Sequence, residues 1–173
     1  MSSRRKLKEA HENSVLYSFR EYLKSNSETL IVKSQPDPPD AFVVINDRNT
    51  WIEITDAFFS QDVAISITSY AADDSIHRPS QGGLVVDPDG TIANKIESVI
   101  VGKLTKQTML SIAHSNGKGI LLVGLFGPFV DLDKAVSNLT ETLRKNLENQ
   151  SVFESVYLYE NSCSDIHCFR KIF

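Results

Sequence analysis

The chain has few of the residues that mark disulfide-rich, zinc-binding or fibrous proteins. Its 173 residues include 2 cysteines, 8 glycines and 6 prolines. Cys163 and Cys168 have no second pair to complete a zinc ribbon and do not have its spacing, so we expect two reduced thiols. Hydrophobic residues make up 41% of the chain and charged residues 23%, a balance that excludes intrinsic disorder.

Long apolar runs and an excess of positive charge are also missing. No stretch approaches the ~20 apolar residues of a membrane-spanning helix, and no signal-like apolar run follows the basic start. We therefore expect a soluble, cytoplasmic protein without a membrane partner. The net charge of -4 argues against nucleic-acid binding by bulk electrostatics alone, although it is compatible with local basic patches.

Motifs of several common enzyme classes do not occur either. The sequence has no Gly-x-Ser-x-Gly elbow of a serine hydrolase. It also has neither the Gly-x-Gly-x-x-Gly nor the P-loop pattern of nucleotide-binding folds. No repeat or linker divides the chain, which predicts one domain over residues 1–173.

The hydrophobic pattern predicts an α/β domain with the element order αβββαβαβ. We interpret residues 56–90, where the pattern is mixed, as an insertion or active-site loop. The predicted elements are the helices 5–24, 91–115 and 131–148 and the strands Thr29–Lys33, Ala41–Ile45, Thr50–Thr55, Gly119–Phe126 and Val152–Tyr159.

Two acidic residues stand near the facing ends of the second and third predicted strands. If these strands close through a turn centred on Asp47-Arg48, Asp40 lies opposite Thr55. Because side chains alternate between faces, Asp40 and Glu53 then share one face, with their backbones about 7–8 Å apart.

A metal ion fits between these two carboxylates. Asp40 and Glu53 would repel each other strongly without a cation, and hard oxygen ligands suit Mg²⁺ or Mn²⁺. Glu53 would also be costly to bury alone within its apolar run. The alternative is that Glu53 points to solvent at a sheet edge while Ile52 and Ile54 point inward.

Lys103 lies in the middle of the apolar face of the second predicted helix. At about 100° per residue, Ile96, Ile100 and Leu110 all fall within about 60° of it. A lysine in this position either extends to the edge of the face or meets a buried carboxylate or ligand. Lys106 lies at the margin of the same face.

Pro39-Asp40, followed after twelve residues by Glu53-Ile54-Thr55 within an αβββαβ order, resembles the PD-(D/E)XK nuclease superfamily. The resemblance covers residues 5–126 and implies a restriction-endonuclease-like core, a mixed sheet flanked by helices, and metal-dependent hydrolysis of phosphodiester bonds. It implies that Asp40, Glu53 and the backbone carbonyl of Ile54 bind Mg²⁺ or Mn²⁺. Thr55 stands where the family has a lysine; some members carry that lysine on the following helix, and Lys103 would then replace it.

In this family a glutamate of the first helix often completes the site, and helical spacing favours Glu12 over Glu9, although both are otherwise read as surface charges. The resemblance implies a nucleic-acid partner, DNA before RNA, and the sequence leaves a homodimer or a larger protein partner open. The alternative is a catalytically inactive, nuclease-like interaction or immunity module that binds through residues 56–90. The basic residues available for phosphate contacts are Arg4, Arg5, Lys6, Lys8, Arg48, His77 and Arg78.

Overall fold

A mixed sheet with helices on both faces forms the described part of the chain. The computed structural model describes residues 4–58, 65–66, 78–79, 87–126, 131–161 and 166–173. The helices are α1 (Arg4–Ser25), α2 (Pro88–Thr105), α3 (Gln107–Asn116), α4 (Leu132–Ser137) and α5 (Glu141–Glu148), and the strands are β1 (Leu30–Ser34), β2 (Ala41–Ile45), β3 (Arg48–Phe58), β4 (Gly119–Phe126), β5 (Phe153–Asn161) and β6 (His167–Lys171).

The six strands lie side by side in chain order, from β1 to β6. β3, β4 and β5 run parallel to one another, whereas β1 and β2 on one side and β6 on the other are antiparallel to their neighbours. Buried parallel strands are apolar on both faces, and β4 is buried from Gly119 to Leu125. The predicted α/β class with a mixed sheet is confirmed.

The sheet separates two apolar cores. On one face, α1 packs Val15 and Phe19 against a group that includes Ile52 and Ile54 of β3. On the other face, α2 to α5 pack against a group that includes Trp51 and residues of β4 and β5. Because side chains alternate along a strand, Glu53 is directed to the face that α2 covers.

The β2–β3 hairpin is shifted by two residues from the predicted register. Its turn is Asn46-Asp47, with φ values of 48° and 67°, and Ala41 pairs with Ile52. Two-residue hairpin turns of type I′ require positive φ at both positions, which Asn and Asp tolerate better than Arg48 does. A shift of two residues preserves the alternation, so Asp40 follows the ladder directly opposite Glu53 rather than diagonal to it.

The predicted helix 91–115 is two helices. Lys106 has an extended conformation, with ψ of 122°, and separates α2 from α3. The helical phase changes there, so Met109 is buried while Leu110, predicted on the face of Lys103, is 36% exposed. The predicted helix 131–148 is also divided, into α4 and α5.

Two other expectations concern the ends of the sheet and the loop. β6 was not predicted; it adds an antiparallel edge next to β5. Residues 56–58 continue β3, and most of the predicted loop 56–90 lies outside the described residues. Among the helices of the described ranges, none is both long and apolar enough to cross a membrane.

Candidate functional site

A buried ion pair between β3 and α2 forms the centre of the site. The Nζ of Lys103 lies 2.6 Å from Oε1 of Glu53, and the two side chains are 19% and 5% exposed. Lys103 belongs to the last turn of α2, on the face that also buries Ile96 and Ile100. The other carboxylate oxygen, Oε2 of Glu53, is buried and has no hydrogen-bond partner within the described part of the chain. An acceptor of this kind is costly unless a cation or a donor approaches it.

Asp40 lies immediately before β2, where that strand stops pairing with β3. The last pair of the ladder is Ala41 with Ile52. Beyond it, Oδ2 of Asp40 accepts a hydrogen bond of 2.6 Å from the backbone N–H of Ile54. This bond fixes the buried carboxylate at the end of the hairpin. Since an extended residue directs its N–H and C=O to the same edge, we expect the carbonyl of Ile54 on that side as well.

Glu12 reaches this region from α1. It is buried, and the Nζ of Lys8, one turn earlier, lies 3.3 Å from Oε1 of Glu12 and 3.9 Å from Oδ1 of Asp40. Glu9, the other glutamate considered on this helix, is exposed and pairs with Arg5. The structure therefore brings Glu12, and not Glu9, to Asp40.

Crowded negative charge changes the acidity of two of these carboxyl groups. Burial and then the charge of Asp40 raise the pKa of Glu53, against the opposing effect of Lys103. Burial and Asp40 also raise the pKa of Glu12 to about 7, although Lys8 acts to lower it. The negative charge is balanced here by ammonium groups and protons, a setting in which a divalent cation would bind favourably.

The donor set fits one hard cation held mainly by two carboxylates. No group of three or more His, Cys, Asp or Glu side chains within the described ranges is arranged to hold a metal ion. The unpaired Oε2 of Glu53 and a carboxylate oxygen of Asp40 are nevertheless available, and the carbonyl of Ile54 is expected beside them. Oxygen ligands of this type suit Mg²⁺, which keeps several of its waters in proteins.

Sequence reasoning missed the position of Lys8. Lys8 is one of the basic residues that the sequence offers for phosphate contacts, and its ammonium lies 2.6 Å from Asp37 and also faces Glu12 and Asp40. The spacing of four residues between Lys8 and Glu12 is the signal that predicts this pair. Of the other basic residues proposed for phosphates, Arg48 pairs with an acidic side chain of β5.

The remaining positions named from the sequence are Thr55, Lys106, His77 and Arg4. Thr55, where the nuclease family has its lysine, is half-buried on β3. Lys106 is exposed and contributes to lowering the pKa of Glu53. His77 and the side chain of Arg4, both considered for phosphate contacts, lie outside the described residues.

Comparison with known proteins does not identify a family for this chain. No protein-family model matches the chain, and neither curated proteins nor solved structures gave a match. The function is therefore argued from the side chains themselves.

Proposed function

We propose that the chain is a metal-dependent nuclease that hydrolyses phosphodiester bonds of DNA or RNA. The observation that carries this proposal is the unpaired, buried Oε2 of Glu53. Lys103 contacts the other oxygen of this carboxylate, and burial and then the charge of Asp40 raise its pKa. The resemblance to the PD-(D/E)XK superfamily gives these residues the same roles. The described elements follow the order α1-β1-β2-β3-α2-α3-β4 around a mixed sheet, which supports a restriction-endonuclease-like core if α2 and α3 together stand for its second helix.

The proposed chemistry follows from the charge that develops during phosphodiester hydrolysis. Asp40, Glu53 and the carbonyl of Ile54 would hold one Mg²⁺ or Mn²⁺. A bound ion of this kind acts as a Lewis acid and lowers the pKa of its water. Lys103 would move from Glu53 toward the attacking water, orient it, and offset negative charge in the transition state. Glu12 would keep the carboxylate of Asp40 in place through the hydrogen bond between their side chains.

A catalytically inactive interaction module is the second candidate. Two observations favour it: the ammonium of Lys103 already neutralises Glu53, and no group of three acidic or histidine ligands occurs among the described residues. In this case Asp40, Glu53 and Lys103 form a structural network. Such a module needs no divalent metal, so metal dependence separates the two candidates.

The test is cleavage of labelled single- and double-stranded DNA and RNA with Mg²⁺ or Mn²⁺, and with EDTA as the blank. We expect metal-dependent cleavage by the wild type. Asp40→Asn and Lys103→Met should each reduce the rate by at least about 100-fold, the usual effect of removing one transition-state contact. Lys95→Met is the matched control, because Lys95 is an exposed lysine on the same helix, and it should cleave at the wild-type rate.

Two results would contradict the proposal. If the wild type cleaves none of the four substrates with either metal, the interaction module replaces the nuclease. If Lys103→Met cleaves as fast as Lys95→Met, Lys103 has no part in the chemistry. Comparing the four substrates in the same assay also identifies the nucleic acid that the site accepts.

A further inference from the structure

A second polar cluster lies beside the carboxylates and has no part in the mechanism above. It joins three elements: His11 of α1, Asp56 of β3 and Tyr159 of β5. The hydroxyl of Tyr159 donates to Oδ1 of Asp56 at 2.9 Å, and Nε2 of His11 lies 3.2 Å from Oδ2 of Asp56. The same Nε2 lies 3.3 Å from the hydroxyl of Tyr159. The three side chains therefore fix one another.

The backbone of β4 leaves room for this cluster. A Cβ added at Gly124 would lie 2.6 Å from both Oδ1 of Asp56 and the hydroxyl oxygen of Tyr159, which is closer than real Cβ atoms approach. Glycine at this position lets the carboxylate and the phenol meet above the central strand.

The hydrogen bonds define which ring nitrogen of His11 carries a proton. Burial strongly raises the pKa of Tyr159, so its hydroxyl stays protonated and donates to Asp56. Asp56 is then an acceptor for His11, which places an N–H on Nε2. The carboxylate also favours a second proton on the ring, and the hydrogen bond to Asp56 is the main cause that raises the pKa of His11. The imidazole is 31% exposed, so it is not closed off by the cluster.

The position of the cluster connects it with the proposed nuclease site. His11 precedes Glu12 on α1, and the charges of Glu12 and Asp40 act on it. Asp56 follows Ile54 by two residues near the carboxyl end of β3. Ligands of open α/β sheets bind at the carboxyl ends of parallel strands, which is where this cluster lies. His11 is the partly exposed donor of this cluster, and it lies one residue from Glu12, which the structure brings to Asp40.

We propose that His11 binds a phosphate of the nucleic-acid strand next to the one that is cleaved, and that Asp56 and Tyr159 are its positioning residues. This inference rests on the proposed nuclease function. It assigns the phosphodiester backbone, rather than a base, as the group that His11 recognises. Asp56 offsets the charge of the imidazolium in the free protein and keeps its ring in one orientation.

The experiment measures oligonucleotide binding in a Lys103→Met background with Mg²⁺, where the strand stays intact. Each phosphate contact that is lost lowers the slope of log K against log salt by about 0.7 for single strands and about 0.9 for duplexes. We expect His11→Asn to lower the slope by this amount, and His11→Lys, which keeps a cation, to restore it. His114→Asn changes an exposed histidine on α3 and should leave the slope unchanged.

Tyr159→Phe separates positioning from charge. It keeps the buried ring but removes the hydroxyl that holds Asp56, so the affinity should fall several-fold while the salt slope stays at the wild-type value. A purely structural cluster predicts instead that His11→Asn and Tyr159→Phe lower the melting temperature without any change in slope, which would overturn the inference. The inference fails, and the nuclease proposal stands, if two results are found together. His11→Asn then leaves binding unchanged in the Lys103→Met background, and His11→Asn alone cleaves as fast as the wild type. If the wild type neither binds nor cleaves nucleic acid, both fail.

Discussion

Glu53 depends on Lys103 for a hydrogen bond, because one of its carboxylate oxygens already lacks a partner in the described structure. Lys103→Met keeps the aliphatic stem and leaves the buried carboxylate with neither oxygen paired. Without metal, we expect a loss of about 1–3 kcal/mol in the free energy of unfolding, the cost of an unsatisfied buried group. Adding Glu53→Gln should recover most of that loss, since the amide carries no charge.

Urea unfolding in EDTA measures this coupling as a double-mutant cycle. Lys95→Met serves as the control on the exposed side of α2 and should change stability by less than about 0.5 kcal/mol. Additive effects of Lys103→Met and Glu53→Gln would contradict the energetic coupling that the 2.6 Å contact indicates.

Glu12 gives stability a dependence on pH of unusual sign for a carboxyl group. Its pKa is about 7 in the folded protein and about 4.5 in the unfolded chain, so the folded state binds more protons between these values. The free energy of unfolding should therefore fall as pH rises from about 4.5 to about 7, by at most about 3 kcal/mol. Glu12→Gln should remove this slope and be the more stable protein at pH 7. Equal pH slopes for the two proteins, measured in EDTA, would show that Glu12 ionises normally.

At the residue scale, the sequence predicts side chains whose neighbours follow from local periodicity. Alternation along β3 and the apolar face of α2 each leave a solvent-directed side chain open, and the family resemblance is what predicts a contact between Glu53 and Lys103. The contact of His11 with Tyr159 joins residues 148 positions apart and depends on how α1 crosses the sheet. Hydrophobic periodicity does not determine the angle at which α1 crosses the sheet, so the second cluster could not be predicted from the sequence.

Alanine substitutions at two glycines test the packing around β4 and α2. A Cβ at Gly119, at the start of β4, would lie 2.3 Å from the ring of Trp51, which is fully buried and donates from Nε1 to the carbonyl of Gly117 at 2.8 Å. Gly119→Ala should therefore destabilise the protein by about 1–3 kcal/mol through overpacking. Gly102 lies in α2, and an added Cβ would have no atom within 4 Å apart from its chain neighbours and the backbone of its own helix, so Gly102→Ala should stabilise the protein by up to about 1 kcal/mol. Thermal or urea unfolding compares the two, and the same sign for both would refute the packing argument.

At the element scale, the sequence predicts which segments are helix or strand better than where they break. Lys106 interrupts a continuous helical pattern because Met109 enters the core beside α2. The backbone N–H of Met109 donates to the carbonyl of Lys106 at 2.9 Å. Tertiary packing, and not the sequence pattern, determines where such a helix breaks. The hairpin turn is different, since the tolerance of Asn46-Asp47 for positive φ was available in the sequence and would have given the observed register.

At the scale of the whole molecule, the sheet order explains why the carboxylates meet. β2 begins only at Ala41, opposite Ile52, whereas β3 continues to Phe58 and pairs there with β4 on its other edge. The backbone of Ile54 therefore has no strand on the β2 side and bonds to Asp40 instead. The run from Gly119 to Phe126 predicts a central strand, because only a strand covered on both faces is apolar throughout. β6 carries charged and polar residues typical of an edge, and so it gave no comparable signal.

Metal binding at one site should be visible in the stability of the whole protein. A ligand that binds only the folded state at 100 times its Kd adds about 2.7 kcal/mol to the free energy of unfolding. For a chain of this size that corresponds to a rise in Tm of about 5–10 °C. We expect Mg²⁺ or Mn²⁺ to produce such a rise in the wild type, compared with the same protein in EDTA.

Variants that remove one carboxylate locate the effect. Asp40→Asn and Glu53→Gln should each show little or no rise, because each removes an oxygen ligand and lowers the negative charge that attracts the cation. Asp47→Asn is the matched control: Asp47 is an exposed aspartate in the hairpin turn, with φ of 67°, a conformation that Asn also adopts, so its metal response should equal that of the wild type. Equal rises in all four proteins would mean that the cation binds elsewhere. If millimolar metal does not raise the Tm of the wild type, the proposed two-carboxylate metal site is contradicted and the inactive module is favoured.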